Sequence, residues 1–295
     1  MAMSKAPASE ADRLRLTVGV LLFVLSTVLV SLMHAVIRWV PGGMHPYQMA
    51  FFRNFFGLVY FMGWQSRRGF TGLRTTRLRW HLARGVLNGT AMLMFFQGLQ
   101  ITPLAAVAAL NFTAPLYASL MAFFILREGG RVRRSIAMAI GFAGALVVLR
   151  PGFVEIGQGP LLVLVSSAIW SGALLIIKVL SRTESSVAIS TYMVMVTTPI
   201  TLAAALFVWQ LPTLPQLFWL AIVAALGSLT HIAMAQSFKL ADATAVLPLD
   251  FLKLIWSALL GYGMYGEVPD HWVWIGGLMI FSSSTYVALR ERYKV

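Results

Sequence analysis

Ten apolar stretches separated by short polar breaks account for almost the whole chain. They run over roughly 14–39, 46–65, 80–101, 103–126, 133–150, 159–180, 187–209, 214–238, 243–265 and 271–289. About 20 mostly apolar residues in helical form cross the hydrocarbon core of a bilayer, so each stretch is predicted to be a transmembrane helix. The breaks hold loop-forming residues: PGGMHP at 41–46, SRRGFTGLRTTRLR at 66–79, TP at 102–103, REGGRVRR at 127–134, RPGFVEIGQGP at 150–160, SRTESS at 181–186, QLPTLP at 210–215 and GEVPD at 266–270. Connections this short set consecutive helices side by side and leave no room for a soluble catalytic module. The predicted fold is an all-α integral membrane protein with ten transmembrane helices.

The pattern repeats. The stretch Gln97–Glu128, QGLQITPLAAVAALNFTAPLYASLMAFFILRE, returns without a gap 139 positions later as Gln236–Glu267, QSFKLADATAVLPLDFLKLIWSALLGYGMYGE. Gln97, Ala106, Val107, Leu110, Phe112, Leu120 and Glu128 meet identical residues. The polar positions carry more weight: Asn111 falls on Asp250, each in the middle of an apolar run. Trp80 falls on Trp219 at the same offset, and at an offset of 140 Ser31 falls on Ser171 and Arg38 on Lys178. A repeat on this scale fixes the architecture. It predicts one five-helix unit at 14–150 and a second at 159–289, with tails at 1–13 and 290–295. Five spans is an odd number, so the second unit must insert upside down relative to the first. Two such inverted repeats offer two similar conformations, one open to each side, around a site near the midplane.

Composition agrees. The chain is 59% hydrophobic and 11% charged, where a soluble domain carries about 25% charged residues. The net charge of +13 is a topology signal. With the N-terminus in the cytoplasm, 19 of the 23 Lys and Arg residues fall on the cytoplasmic side, as positive-inside bias requires. The opposite side keeps Arg38 and Arg150, and Arg53 and Lys253 lie within helices. Both termini are therefore expected in the cytoplasm, the N-terminal segment leading into a retained first helix. The lipid bilayer, not nucleic acid, is the partner that this charge implies.

Ionisable groups in hydrocarbon cost roughly 2.5–3.5 kcal/mol each on insertion scales and are functional candidates. Asp250 and Lys253 share one face of the ninth helix at i, i+3. They form either a structural ion pair or a site for a zwitterion, Lys253 near its carboxylate and Asp250 near its ammonium. His34, His231 and Asp250 are the candidates for proton coupling, with hydrogen bonding inside the bundle as the competing role for the histidines. Asn88, Asn111, Gln97 and Gln236 are expected to face inward, where interhelical hydrogen bonds explain them equally well. Arg53, near the outer end of the second helix, is expected to snorkel or to pair with a helix end.

Most tryptophans lie near helix ends, where interfacial belts place them; Trp170 and Trp256 do not. Trp170 sits among small residues in SSAIWSG and, with Tyr117, suits either a pocket for an apolar or aromatic side chain or plain packing. Pro115 and Pro248 interrupt the fourth and ninth helices and are expected to kink or gate them. Gly141, Gly144 and Ala145 in the fifth helix, and Gly276, Gly277 and Ser283 in the tenth, suit close helix contact, within the monomer or in a homodimer. The candidate substrate-binding set is thus Asn88, Asn111, Tyr117, Trp170, His231, Asp250 and Lys253.

The absence of cysteine removes disulfides and thiolate chemistry. No P-loop, HExxH or carboxylate cluster occurs, so no cofactor and no metal is expected, and no enzyme. A pore would show rings of like charge, and none repeats.

On the Ala-rich start of the fourth helix, Pro115, Glu128 and the fifth-helix ending GFAGALVVL, the chain resembles the drug/metabolite transporter superfamily, specifically its ten-helix EamA type, over nearly its whole length. Leu254 stands where the second repeat would carry the mate of Pro115. The resemblance implies a multi-pass carrier of the bacterial inner membrane that exports small metabolites by alternating access, with helices one, three, four, six, eight and nine around the cavity. The overall pattern is similar to bacterial aromatic amino-acid exporters, which implies aromatic or other neutral amino acids as substrate. A nucleobase, nucleotide-sugar or drug-like solute is the alternative. Glu128 and Glu267, which close their helices, are expected to stabilise loops.

Overall fold

The structure, a computed structural model, describes residues 10–68, 75–125, 132–152, 157–180, 183–184, 186–241 and 246–292. Glu128, parts of the polar breaks at 66–79, 127–134, 150–160 and 181–186, and the start of the ninth predicted span lie outside the described residues, as do the first nine residues and the last three.

Each of the ten predicted spans is helical over most of its described residues. We number the α-helices α1 (Glu10–Trp39), α2 (Pro46–Arg68), α3 (Leu78–Gln100), α4 (Leu104–Asn111), α5 (Ala114–Ile125), α6 (Val132–Leu149), α7 (Gln158–Leu180), α8 (Ser186–Leu206), α9 (Leu214–Leu240), α10 (Leu252–Tyr265) and α11 (His271–Arg292). The fourth span is α4 followed by α5, and the ninth is a 3₁₀ turn at Leu247–Phe251 followed by α10. Lipid offers the backbone no hydrogen-bond partners, which is why helices satisfy this environment.

The two five-helix halves are related by a two-fold axis that can be read from which helices touch. The third span packs on the sixth as the eighth packs on the first, and the first lies on the ninth as the sixth lies on the fourth. The second and seventh spans pair with each other, as do the fifth and tenth and the fourth and ninth. Close approaches repeat as well. A Cβ on Gly19 of α1 would meet Ala241, just past α9, at 2.7 Å, and one on Gly159 of α7 would collide with Thr102, just past α3. Thr102 and Ala241 are repeat mates. Phe112 and Phe251, also repeat mates, stack on each other with ring centroids 6.4 Å apart and both touch Phe281. Symmetry-related side chains can touch only beside the axis that relates them, so this pair marks it.

The small-residue stripes are used within the chain. A Cβ on Gly144 would lie 2.8 Å from the Gly276 carbonyl, and one on Gly141 would lie 2.7 Å from Ser283 Oγ. Ser283 in turn donates to the Ala137 carbonyl. Gly277 faces elsewhere, toward Leu254 and Ala109. Arg150, just past α6, adopts a positive φ of 49°, unusual for a side-chain-bearing residue, and pairs with Asp270 at 2.6 Å.

The prolines act differently from the expected mid-helix kink. The chain breaks ahead of Pro115 at Phe112–Thr113 and starts a new helix at Ala114, which leaves Pro115 in the first turn of α5, where its missing N–H has no intrahelical partner to lose. The break is stitched by i→i−3 bonds, Phe112 N–H to Ala109 O at 3.2 Å and Thr113 N–H to Leu110 O at 3.0 Å. Pro248 sits in the first turn of the 3₁₀ segment, where a missing N–H costs nothing. The proline that does lie inside a helix is Pro199 of α8, which the pattern reading overlooked. The helix continues through it, flanked by Thr197, Thr198 and Thr201, whose hydroxyls donate to the carbonyls of Met193, Val194 and Thr197.

Candidate functional site

Both helix breaks open onto one cavity. It has a volume of about 220 Å³ and is walled by α1, α4, α5, α7, the 3₁₀ turn, α10 and α11. Discontinuous helices are where membrane carriers build solute sites, because free helix ends present dipoles and unpaired backbone groups. Here the repeat mates Asn111 and Asp250 sit one at each break and both line the cavity.

Lys253 Nζ lies 2.5 Å from Asp250 Oδ1, and both side chains stay partly open, at 30% and 27% exposure. The i, i+3 pair forms as the sequence spacing required. Ser31 Oγ donates to the Lys253 carbonyl at 3.4 Å, tying α1 to α10. Asn111 Oδ1 accepts from Ser167 Oγ at 3.3 Å. His34, Pro115 and Trp170 complete the predicted residues that meet here. His34 also tilts against Phe95 of α3 at 5.1 Å. Trp170 lines the cavity, with 38% of its surface open.

Other candidates point away from this cavity. Tyr117 stands edge-on to Phe142 of α6 at 5.1 Å. Asn88 is half-buried on α3 and His231 is exposed on α9, and neither lines the cavity. Gln97 keeps a buried Oε1 without a hydrogen-bond partner, and Gln236 is exposed. Trp256 is structural: its Nε1 donates to Thr27 Oγ1 at 3.2 Å and fastens α10 to α1.

Two expectations need correction. The cavity wall includes the tenth span and not the third or eighth. Arg53 does not snorkel to the outer surface; its guanidinium lies against Gly227 in the middle of α9, where a Cβ on that glycine would be 3.3 Å from Nη2. Sequence depth alone showed how far Arg53 lies from the helix end, but not which way it turns. Among the described residues no cluster of His, Cys, Asp or Glu suits a metal ion.

The profile of the EamA-like transporter family matches this chain twice, at residues 17–150 and 157–289. The chain belongs to the EamA-like transporter family. It is 28% identical to an S-adenosylmethionine uptake transporter of Rickettsia bellii over 94% of this chain and 95% of that protein. It is 29% identical to a riboflavin transporter of Rhizobium johnstonii over 94% and 93%, and 24% identical to a pseudopaline exporter of Pseudomonas aeruginosa over 89% and 93%. A crystal structure of a further protein superposes with a TM-score of 0.58 at 20% identity, covering 96% of this chain and 98% of that one, which shows the shared fold. This EamA-like protein is therefore a multi-pass membrane transporter of small solutes, not an enzyme. The relatives' names cover both uptake and export, so the expected export direction and the expected amino-acid export find no support among them.

Proposed function

We propose that this transporter exchanges solutes bearing an α-amino-acid head across the bacterial inner membrane, its termini in the cytoplasm. The observation that carries the reading is the Asp250–Lys253 pair, held at a helix break on the wall of an intramembrane cavity. Two opposite charges that remain partly open suit a zwitterionic head. S-adenosylmethionine, named for the Rickettsia bellii relative, carries such a head beside its sulfonium, and neutral amino acids share the same head. A second reading, an uncharged aromatic solute, is favoured by the open face of Trp170; the Rhizobium johnstonii relative is named for riboflavin.

Transport follows from the fold. Two inverted halves alternate between states, with the pieces of the fourth and ninth spans moving at their breaks, beside Pro115 and Pro248. Proton coupling, if the exchange requires it, runs through His34, His231 or Asp250.

The test is counterflow in proteoliposomes. Vesicles are loaded with unlabelled S-adenosylmethionine, tryptophan, phenylalanine, threonine, methionine, adenine or riboflavin, and entry of the labelled solute is followed without an ion gradient. Exchange of S-adenosylmethionine or amino acids supports the reading. Exchange of riboflavin or adenine alone overturns it. Exchange that appears only under a pH gradient assigns proton coupling.

A further inference from the structure

Three basic side chains reach the interior of the described bundle: Arg53 from α2, Arg84 from α3 and Lys253 from α10. Two are already engaged. Lys253 is held by Asp250 at 2.5 Å. Arg84 gives Nη1 to the Ile189 carbonyl at 2.6 Å and Nη2 to Met193 Sδ at 3.3 Å, so it fastens α3 to α8. Arg53 is different. Its Nη1 reaches Asn54 Oδ1 at 3.3 Å and Met92 Sδ at 4.0 Å, and no carboxylate among the described residues pairs with it.

The site around Arg53 is built. Gly227 is the midpoint of the 27-residue α9, about 20 Å from either end at 1.5 Å per residue. Its missing side chain leaves the slot in which the guanidinium lies, Nη2 and Nε being 3.3 and 3.6 Å from where a Cβ would stand. Asn54, the neighbour that accepts from Arg53, is locked by its own bonds to the Ala50 carbonyl at 3.0 Å and Thr201 Oγ1 at 3.4 Å. A guanidinium at this depth carries a large desolvation cost unless a counter-charge meets it, and its planar fork matches a carboxylate.

Arg53 does not itself line the cavity of about 220 Å³; it lies beside it, since the Gly227 slot also touches Met33 Sδ of α1, 3.1 Å from where the Cβ would stand, and Met33 precedes the cavity-lining His34. Among the described residues Arg53 and Arg84 have no carboxylate partner and Lys253 has one; Arg84 is held by a 2.6 Å bond to a carbonyl, whereas Arg53 has only the 3.3 Å contact to Asn54 and a long one to Met92.

We propose that Arg53 binds the carboxylate of the transported solute, with Asp250 taking the ammonium. This rests on the amino-acid-head reading above, and it moves the carboxylate from Lys253, where sequence spacing placed it, to Arg53.

The experiment is competition in counterflow. Labelled S-adenosylmethionine is competed by unlabelled S-adenosylmethionine and by its decarboxylated form; labelled tryptophan is competed by tryptophan and by tryptamine. A charge-assisted hydrogen-bonded contact predicts that the wild type prefers each carboxylated competitor by about 10- to 100-fold. Arg53→Gln should abolish that preference while leaving the decarboxylated competitors unchanged. Arg53→Lys should keep part of it. Gly227→Ala, which crowds the guanidinium without removing it, should lower it several-fold and serves as the readout should Arg53→Gln fail to elute as a folded protein. Wild-type exchange with the preference intact in Arg53→Gln, or in Gly227→Ala if the first variant does not fold, overturns the Arg53 assignment alone. Loss of the preference in Lys253→Gln but not in Arg53→Gln does the same. Wild-type exchange of neither carboxylated solute overturns the function reading and this inference with it.

Discussion

Arg38 Nη1 lies 2.5 Å from Glu267 Oε1, joining the end of α1 to the residue beyond the α-left Gly266 that closes α10. The second carboxylate oxygen of Glu267 accepts from Leu104 N–H, the first residue of α4, at 2.9 Å. Arg38 also stacks over the Tyr265 ring at 4.4 Å, and the Tyr265 hydroxyl donates to the Ala35 carbonyl at 2.6 Å. One carboxylate thus fastens the first, fourth and ninth spans, drawn from both repeats, and all three line the cavity. The loop-stabilising role expected for Glu267 becomes, in this geometry, a clasp across the halves at one end of the bundle.

Loosening that clasp should open this end of the cavity. Glu267→Gln keeps an acceptor for Leu104 but removes the ion pair, whose contribution of about 1 kcal/mol corresponds to a several-fold shift in population. The chain has no cysteine, so a lone Ser284→Cys on the cavity wall can be labelled cleanly. An impermeant thiol reagent added from the side where α1 ends should react several-fold faster in Glu267→Gln. The swap Arg38→Glu with Glu267→Arg should restore the slower rate. Equal rates in all three proteins would remove the clasp.

The Asp250–Lys253 pair makes a prediction about coupling. Removing one partner leaves a charge without its counter-charge, while removing both leaves neither. Each side chain is nearly a third exposed, so solvent screens the pair and the coupling should be on the order of 1 kcal/mol. Thermal unfolding of Asp250→Asn, Lys253→Met and the double variant gives this value as a double-mutant cycle. The double variant should melt closer to wild type than either single, yet should have lost exchange of amino-acid-headed solutes. Additive melting shifts would show that the pair contributes no coupling.

Span number and the repeat were legible because each depends on local features: apolar length, loop residues and a fixed offset. The offset even foretold contacts, since Phe112 and Phe251 stack and Asn111 and Asp250 share one cavity. What escaped the sequence is azimuth, the direction a side chain takes around its helix, because partners distant in the chain decide it. Arg53 turns inward because Gly227, 174 positions away, has no side chain. Tyr117 turns to Phe142 and leaves the cavity to Trp170. The helix break before Pro115 was visible as a proline but not as a break, because an isolated proline is compatible with a kink, as Pro199 shows inside α8.

The α6–α11 crossing should be intolerant of size. A side chain at Gly144 would press on the backbone carbonyl of Gly276 and on Met279, each 2.8 Å from its Cβ, and backbone cannot step aside. Overpacking of this kind costs about 1–3 kcal/mol, so Gly144→Val should lower the melting temperature clearly. Gly57 of α2 is the control: nothing lies within 4 Å of its would-be Cβ. Gly57→Ala should leave stability unchanged or raise it by about 0.5–1 kcal/mol through helix propensity. A tolerant Gly144→Val would mean that α6 and α11 do not approach this closely.

Asp270 gives the bundle a pH-dependent contact outside the membrane-spanning segments. Its carboxylate stands at the start of α11, 2.6 Å from Arg150 Nη1 and 2.7 Å from His271 Nδ1, and accepts from Trp272 N–H at 3.4 Å. Desolvation acts to raise its pKa, but the Trp272 N–H, Arg150 and His271 outweigh it and hold the carboxyl below its ordinary value of 3.8. The sign follows by linkage. A carboxyl with a depressed folded-state pKa stabilises fully above its unfolded value, and that stabilisation fades as pH falls through the lowered one. Asp270→Asn retains a good helix cap and removes only the charge. Its melting temperature, read by tryptophan fluorescence, should lie below wild type throughout the range from about pH 8 to about pH 5 and should converge with it below about pH 4. High salt should shrink the difference, since Arg150 and Asp270 are each about a third exposed and open to screening. A gap that persists undiminished at about pH 3, or none at neutral pH, would show that Asp270 acts there without its charge.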